Sequence, residues 1–528
     1  MADPVQTSYD ELPYINKAFS QTHPDRLATL ARLFGLEPPG IDTCRVLELG
    51  CASGDNLIPM ALALPNARFV GIDLSARQID EGQRQVRALG LANIELRQFN
   101  IADIDASWGL FDYIISHGIY SWVPAPVREK ILAIGRDNLV TNGVAYVSYN
   151  TLPGWHMRGM IRDMMMYHST PFSGATVKVQ QARGLIDFLA QSASTNSPFG
   201  ITLRQELDEI RNEPDTYLFH EYLEEHNEPV YFHQFADAAK RYGLKFLAEA
   251  RFSDMLVSNF PPKVAETLRR VATDIIRMEQ YMDFVRNRMF RQTLLVHQGA
   301  RIRRNLDGRA LKGLLVNSPV RPESAQPVLA EGVSESFQTP SGRKHNIVDA
   351  LTKAALVLLA KRWPHCLPFE ELATMSHASL RQGAGGAGGA ISAEDLKSFG
   401  DRMLQGYAVR VVELRVAAPR FATALSTRPL ASPVARLQAE RGGIVTNLRH
   451  EPVNLPDVQR RMLLLLDGTR DFDALVADLV KLAQQGKIGV RDQEGGPVVT
   501  DHAKLRTLLR HHVEDNLLKF AQVALLLE

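Results

Sequence analysis

The sequence predicts an α/β fold built on a doubly wound, mostly parallel sheet, with further units attached behind it. Three observations predict it. Short apolar strands alternate with amphipathic helices from Arg45 to Tyr149. A glycine-punctuated turn follows the first of these strands. Strand-like runs at Leu244–Ala248 and Gln292–His297 come late enough to complete the sheet after a large insertion, which would then roof the substrate side. With 528 residues the chain exceeds what one hydrophobic core sustains, so several domains are expected.

In chain order, Thr22–Phe34 reads as a helix: Pro24 suits its first turn, Asp25 its positive end, and Leu27, Leu30, Leu33 and Phe34 share one face. Strands are expected at Arg45–Leu49, Ala67–Ile72, Ile94–Gln98, Tyr113–Ser116 and Gly143–Tyr149. Helices at Asn56–Ala63, Ser75–Leu89 and Pro126–Asn138 separate them, long enough for right-handed crossovers. A Met-rich helix follows the Pro153-Gly154 turn and runs to Thr170; Val177–Gln191 is the next. Pro262–Arg288 reads as one long helix. Residues 318–345, rich in Pro, Ser, Gly and Thr, read as a linker or exposed loop.

Behind it, helices at Val348–Lys361, Phe369–Met375 and Ser392–Gln405 precede a strand at Val409–Val416. That order is compatible with a winged-helix-like domain over 346–450, with the GAGGAGGA tract at Gly383–Ala390 as a flexible loop. A last helical or winged unit spans 451–528, with helices at Asp457–Leu466, Asp473–Gln485 and His502–Phe520 and a short strand at Ile488–Val490. The chain thus divides into a core at 1–170, a middle region at 171–317 carrying the late strands, the linker, and two terminal units.

Composition narrows the function classes. Lys and Arg number 60 against 59 Asp and Glu, which argues against a polyanion binder. The helix Ser392–Gln405 carries Glu394, Asp395 and Asp401, so nucleic acid is not an expected partner. Cys44, Cys51 and Cys366 form no CxxC pair, so neither a disulfide framework nor structural zinc is expected, and a reducing compartment fits. His220-Glu221 begins like a zincin motif, but position 224 is Glu; a charged helix face is the reading, with no metal. The start MADPVQTSYDELPY is not read as a signal peptide. The apolar run Ala354–Ala360 is too short to span a bilayer, so no membrane insertion and a cytoplasmic setting are expected.

The informative stretch is Val46-Leu47-Glu48-Leu49-Gly50-Cys51-Ala52-Ser53-Gly54. Glycines let the backbone approach a ligand, and the amides of the next helix N-terminus suit an anion. The spacing is Gly-x-x-x-Gly rather than the dinucleotide pattern. Glu48 would repel a pyrophosphate but accepts from an ammonium group, which favours a zwitterionic ligand without phosphate. Asp73 ends the second strand, where a doubly wound fold places an acid that accepts both ribose hydroxyls. Asn100 and Ile101 follow the third strand and border an adenine. Ser116 and His117 follow the fourth. Cys51, Ala52, Asn56 and Leu74 complete the candidate cofactor set.

This combination resembles the class I S-adenosylmethionine-dependent methyltransferases, whose motif I is matched by ELGCASG and whose second-strand acid is matched by Asp73. Longer signatures, THPDRLATLARLFGL, ELGCASGDNLIPMA, ISHGIYSWVP, YNTLPGWHMR and the run from His220, are similar to bacterial methyltransferases that carry a methyltransferase regulatory region. That group includes rickettsial protein-lysine methyltransferases that modify outer-membrane proteins. The resemblance covers roughly residues 5–300 well and the C-terminal modules more loosely. It implies a Rossmann-like core, a middle domain and a winged-helix-type C-terminus. It also implies S-adenosylmethionine as donor, S-adenosylhomocysteine as product, and a protein substrate, an outer-membrane protein before export among them. The C-terminal units would serve substrate recruitment or homodimer formation.

A lysine amine must be neutral to attack, and an apolar, aromatic-lined pocket disfavours its charged form. The candidates for that pocket are Tyr14, His117, Tyr120, Trp122, Asn150, Trp155 and His156. No Asn/Asp-Pro-Pro-Tyr run follows the fourth strand, which counts against nucleobase amines and glutamine. A small-molecule N- or O-methyltransferase, a nucleic-acid-binding regulator with this fold, and a noncatalytic cofactor-binding scaffold remain the alternatives.

Overall fold

The computed structural model describes residues 11–12, 16–383, 390–492 and 497–527. The GAGGAGGA tract, between its ends, and Tyr14 lie outside the described residues. The core opens with α1 (Pro24–Leu33), β1 (Arg45–Leu49), α2 (Leu57–Ala63), β2 (Arg68–Asp73), α3 (Ala76–Ala88), β3 (Ile94–Gln98), β4 (Phe111–Ser116), α4 (Ala125–Asp137) and β5 (Leu139–Asn150). These follow the expected elements closely because each is periodic and bounded by a capping or turn residue. His23 caps α1 by accepting from the Asp25 amide, and Ser75 caps α3 by accepting from Gln78.

After β5 the chain forms the helices α5 (Trp155–Ser169), α6 (Ala175–Ser192), α7 (Pro198–Ile210) and α8 (Asp215–Tyr222). Ile161, Val179, Ile186, Leu203, Leu218 and Tyr222 give this insert a hydrophobic cluster of its own. The chain returns through α9 (Phe232–Arg241), β6 (Leu244–Glu249), α10 (Pro262–Val271), α11 (Ile275–Arg286) and β7 (Phe290–His297). The seven-stranded sheet runs β3-β2-β1-β4-β5-β7-β6, with β7 antiparallel to both neighbours. The late strands therefore do complete the sheet.

Four expectations are corrected. Pro262–Arg288 is two helices: Asp274 accepts from the Arg277 amide at 2.9 Å and starts a new helix. A capping residue inside a continuous 3.6-residue pattern reads as part of the polar face. Residues 318–345 are not a bare linker. Strands β9 (Arg321–Pro322), β10 (Glu335–Gln338) and β11 (Lys344–Ile347) make an antiparallel sheet with Phe337 fully buried. The preceding β8 (Leu315–Asn317) pairs with β12 (Leu367–Pro368) and β13 (Glu413–Arg415). No strand forms at Ile488–Val490; an isolated bridge joins Arg491 to Val498. Finally, the break at 450 falls inside one hydrophobic cluster that unites Ala431 with Leu526.

The remaining elements are α12 (Ala350–Arg362), α13 (Phe369–Gly383), α14 (Ala393–Ala408), α15 (Pro433–Arg441), β14 (Ile444–Thr446), β15 (Pro452–Asn454), α16 (Asp457–Leu465), α17 (Phe472–Gln484) and α18 (His502–Gln522). Leu356, Leu372, Phe399 and Leu414 pack into the same cluster as Leu27 of α1 and Val46 of β1, so residues 346–416 lean on the core. Among the described residues, no helix is long and apolar enough to cross a membrane.

A buried ion network closes the sheet edge. The fully buried guanidinium of Arg291 donates to Asp283 at 2.8 Å, to Glu249 at 2.7 Å and to Glu279 at 3.0 Å. Arg288 adds a bond to Glu249 at 2.8 Å. Burial still lifts Glu279 to about 7. Removing one partner strands like charges in an apolar setting. Arg291→Ala is expected to destabilise the core by about 3–5 kcal/mol, read as a lower denaturant midpoint.

Candidate active site

Two acids meet on one rim of the sheet. Glu48 of β1 pairs with Gly71 of β2, and Leu49 with Ile72, so Asp73 ends the neighbouring strand just beyond Glu48. Between them the chain turns sharply. The amides of Gly50 and Cys51 both donate to the Ile72 carbonyl at 2.9 Å, and Gly54 donates to the Cys51 carbonyl at 2.8 Å. Gly50 has φ +73°, and a Cβ there would collide with Ile119. Ala52 takes φ 48°, left-handed without glycine's freedom, and is held by its amide donating to Asp73 Oδ2 at 2.9 Å. The other oxygen, Oδ1, accepts from the Ser75 amide at 2.9 Å.

Glu48 is buried. Its Oε1 accepts from Asn56 Nδ2 at 2.8 Å; its Oε2 is buried with no hydrogen-bond partner. Burial raises this carboxyl to about 8, against the Asn56 hydrogen bond and with a contribution from the Asp73 charge. An orphaned acid oxygen beside a glycine turn, facing a ribose-type acid on the next strand, fits the ammonium end of an amino-acid ligand. The N-terminal arm folds over this turn: Asn16 Nδ2 donates to the Cys51 carbonyl at 3.2 Å, and the Phe19 amide donates to Asn56 Oδ1 at 2.9 Å. Burial pushes the Cys51 thiol well up, so it is an apolar wall rather than a nucleophile.

The other predicted cofactor residues occupy the same rim, each after its own strand. Leu74 is half exposed, and its carbonyl accepts from Gln98 at 3.2 Å. Asn100 is exposed and spends its oxygen capping Ala102 at 2.9 Å, while Ile101 is buried beside it. Ser116 is buried with its hydroxyl unpartnered. Next to it, His117 Nδ1 meets Tyr146 OH at 2.9 Å and Ser148 Oγ at 3.2 Å. The Phe19 ring lies 3.9 Å from the imidazole and the Phe290 ring 6.1 Å from it, edge-on. Burial holds His117 near 3, so the ring is neutral.

Several substrate-side residues sit elsewhere than expected. Tyr120 is core, packed on Phe235 and Tyr149. Trp155 is buried at the start of α5 and supports Trp122 edge-on at 6.2 Å rather than lining an open surface. Asn150 is buried; its amide group donates to Asn227 at 3.2 Å. His156 is exposed and paired with Tyr231 OH at 3.2 Å. His220 is buried rather than on a charged face, bound to Glu224 at 2.6 Å. Among the described residues, no group of three His, Cys, Asp or Glu side chains is placed to hold a metal. Sequence reading missed Asn16, Phe19, Tyr146 and Ser148; the period-2 pattern of β5 carried Tyr146 and Ser148 to one face, and nothing local marked the arm.

Comparisons with known proteins agree with this geometry. A family described as "Methyltransferase domain" matches residues 42–208, "Predicted methyltransferase regulatory domain" matches 214–297, and "PKMT, C-terminal winged helix domain" matches 427–525. The winged-helix match therefore falls on the unit containing α15 to α18, overlapping the end of the expected 346–450 domain and most of the 451–528 unit. An uncharacterized protein of Rickettsia prowazekii is 37% identical over 526 residues, covering 98% of this chain and 93% of that protein. A shorter one from the same organism is 43% identical over 241 residues, 46% of this chain and 96% of its own length. The solved structure of PKMT2 from Rickettsia typhi superposes with a TM-score of 0.85 at 33% identity, covering 98% of this chain and all of that one; a second structure of it is in complex with AdoHcy and matches equally. Fold and site together define a class I S-adenosylmethionine-dependent methyltransferase. Within that class, the chain belongs to the family of rickettsial PKMT2, with its regulatory and winged-helix domains.

The raised Glu48 carboxyl gives a pH signature. A carboxyl whose folded value lies above its ordinary 4.5 keeps its proton in the native state, so the ligand-free protein loses stability as pH rises from about 4.5 to about 8. An ammonium docked on Oε2 favours the ionised form and expels that proton. Calorimetry with S-adenosylhomocysteine at pH 7, in buffers of differing ionisation enthalpy, should show release of up to about one proton, with affinity climbing toward pH 8. Glu48→Gln should abolish the release. Asp73→Ala should weaken the same ligand by at least about tenfold; equal binding would remove Asp73 from the site.

Proposed function

We propose that this methyltransferase acts on lysine side chains of a protein, with Glu48, Asp73, Asn56 and the turn from Gly50 to Gly54 holding the donor. The full-length relation to PKMT2 at 33% identity carries this reading. S-adenosylmethionine, when bound, supplies an activated methyl carbon on sulfur. Glu48 Oε2 takes the ligand ammonium, Asp73 takes the ribose hydroxyls, and Leu74, Asn100 and Ile101 border the base.

On the acceptor side the residues orient and exclude water rather than move protons. Tyr146 and Ser148 both bring hydroxyls within hydrogen-bond distance of His117 Nδ1, and burial keeps the ring neutral. Held between these hydroxyls, His117 acts as a positioning group. Phe19 and Phe290 flank it with apolar surface, which disfavours a charged lysine and favours the attacking amine. Trp122, Met157 and Phe290 remain at least partly accessible around this rim. The substrate class we favour within proteins is an outer-membrane protein met in the cytoplasm before export.

The test is transfer of labelled methyl groups into a bacterial lysate that is then split into protein, nucleic-acid and small-molecule fractions. Counts are expected in protein, and in methyl-lysine after hydrolysis. Label confined to small molecules would replace this reading with a metabolite methyltransferase. His117→Gln is expected to keep donor binding and to lower turnover by about 10–100-fold with no change in the shape of the pH profile.

A further inference from the structure

The winged-helix domain reaches the donor site with a single buried histidine. Its β14–β15 hairpin turns at Asn447–Glu451. Asn447 Oδ1 accepts from the amides of Arg449 and Glu451 at 2.9 Å each, and its Nδ2 donates to the Val523 carbonyl at 2.9 Å. This scaffold holds His450 in the left-handed region, φ 62°, and buries it. From there His450 Nε2 lies 3.0 Å from Asn56 Oδ1, 394 residues away in the chain.

The hydrogen-bond directions follow by elimination. The Phe19 amide is a donor, so the atom it meets on Asn56 is the acceptor oxygen, Oδ1. His450 Nε2 therefore carries the proton and donates. The Asn56 amide is left one orientation, with Nδ2 donating to Glu48 Oε1 at 2.8 Å and to Thr22 Oγ1 at 3.0 Å. Thr22 Oγ1 can accept because its own hydrogen goes to the Phe19 carbonyl at 2.8 Å. Glu48 Oε2 is then the oxygen left over. A second tether stands beside this one: Arg441 of α15 donates to Asp55 at 3.2 Å, Glu81 at 2.9 Å and Gln85 at 2.8 Å, gripping the start of α2 and the face of α3. His450 Nδ1 is itself buried without a partner, so the imidazole is held there for what its other nitrogen does.

We infer that His450 is a positioning residue for the donor site: through Asn56 it orients the Glu48 carboxylate, so that docking of the β14–β15 hairpin and S-adenosylmethionine binding support each other. This rests on Glu48 as the ammonium acceptor. Linkage makes the coupling reciprocal: if the docked hairpin tightens the ligand, the ligand tightens the docked hairpin.

Three full-length proteins separate this from mere packing. His450→Phe fills the same space without a donor, and His450→Gln returns an N–H. Calorimetry with S-adenosylhomocysteine should give a Kd about tenfold weaker for His450→Phe, and one within about threefold of wild type for His450→Gln. Wild-type affinity in His450→Phe, or equal losses in both, would overturn the inference. Should His450→Phe fail to fold, wild-type hydrogen exchange decides: the amides of Leu448–Glu451 should slow when the ligand is added, and unchanged exchange there overturns the coupling. Failure of wild type to bind at all would instead count against the Glu48 assignment itself.

Discussion

The carboxylate of Glu48 sits beneath the glycine turn with one oxygen held by Asn56 and the other unpaired, and burial makes its charged form costly. In the ligand-free core such a group keeps its proton, and its charged form needs a cation to meet it. The surrounding structure is arranged around that requirement. The turn keeps side chains away from it, Asp73 fixes the turn through the Ala52 amide, and the arm from Asn16 to Thr22 closes the side open to water. On this reading donor binding turns less on the number of contacts than on one buried carboxyl that keeps its proton until a cation favours its charged form.

The C-terminal half is joined to this arrangement by ions rather than by a flexible tether. Asp25, at the start of α1, accepts from the amides of Val416 and Ala417 at 2.9 and 3.1 Å and from Arg415 at 3.0 Å. Glu413 takes Arg26 at 3.5 Å and Arg449 at 2.6 Å; although burial acts to raise it, Arg26, Arg449 and Arg415 hold it down to about 2. Arg449 also lies over the Trp363 ring at 4.4 Å. The arginine of the β14–β15 hairpin is spent on these internal partners, which leaves that hairpin poorly suited to a phosphate backbone.

Legibility from sequence followed the range of the interactions involved. Strands β1 to β5 and the helices between them were readable because burial periodicity and caps are local. Glu48, Gly50, Gly54 and Asp73 were readable because the turn compresses their chemistry into a short span. The aromatics were not: Tyr120, Trp122 and Trp155 follow strands on the same rim, yet only packing against Phe235 and Tyr149 decides that Tyr120 faces inward. Turn-rich composition misled at 318–345 because Gly, Pro and Ser serve the corners of a small sheet as readily as a linker. The approach of His450 left no local trace, since a lone histidine in a hairpin acquires meaning only from what it touches.

The insert from α5 to α8 leaves after β5 and comes back before β6, and its two feet stand together, with Thr151 bridged to Val230. Because it carries its own hydrophobic cluster, the seven strands do not need it for closure. Evolution can therefore exchange this canopy, lengthen it or reshape its apolar rim while the donor cradle stays untouched. One scaffold can in this way carry inserts of different shape without disturbing the strands that end at the glycine turn.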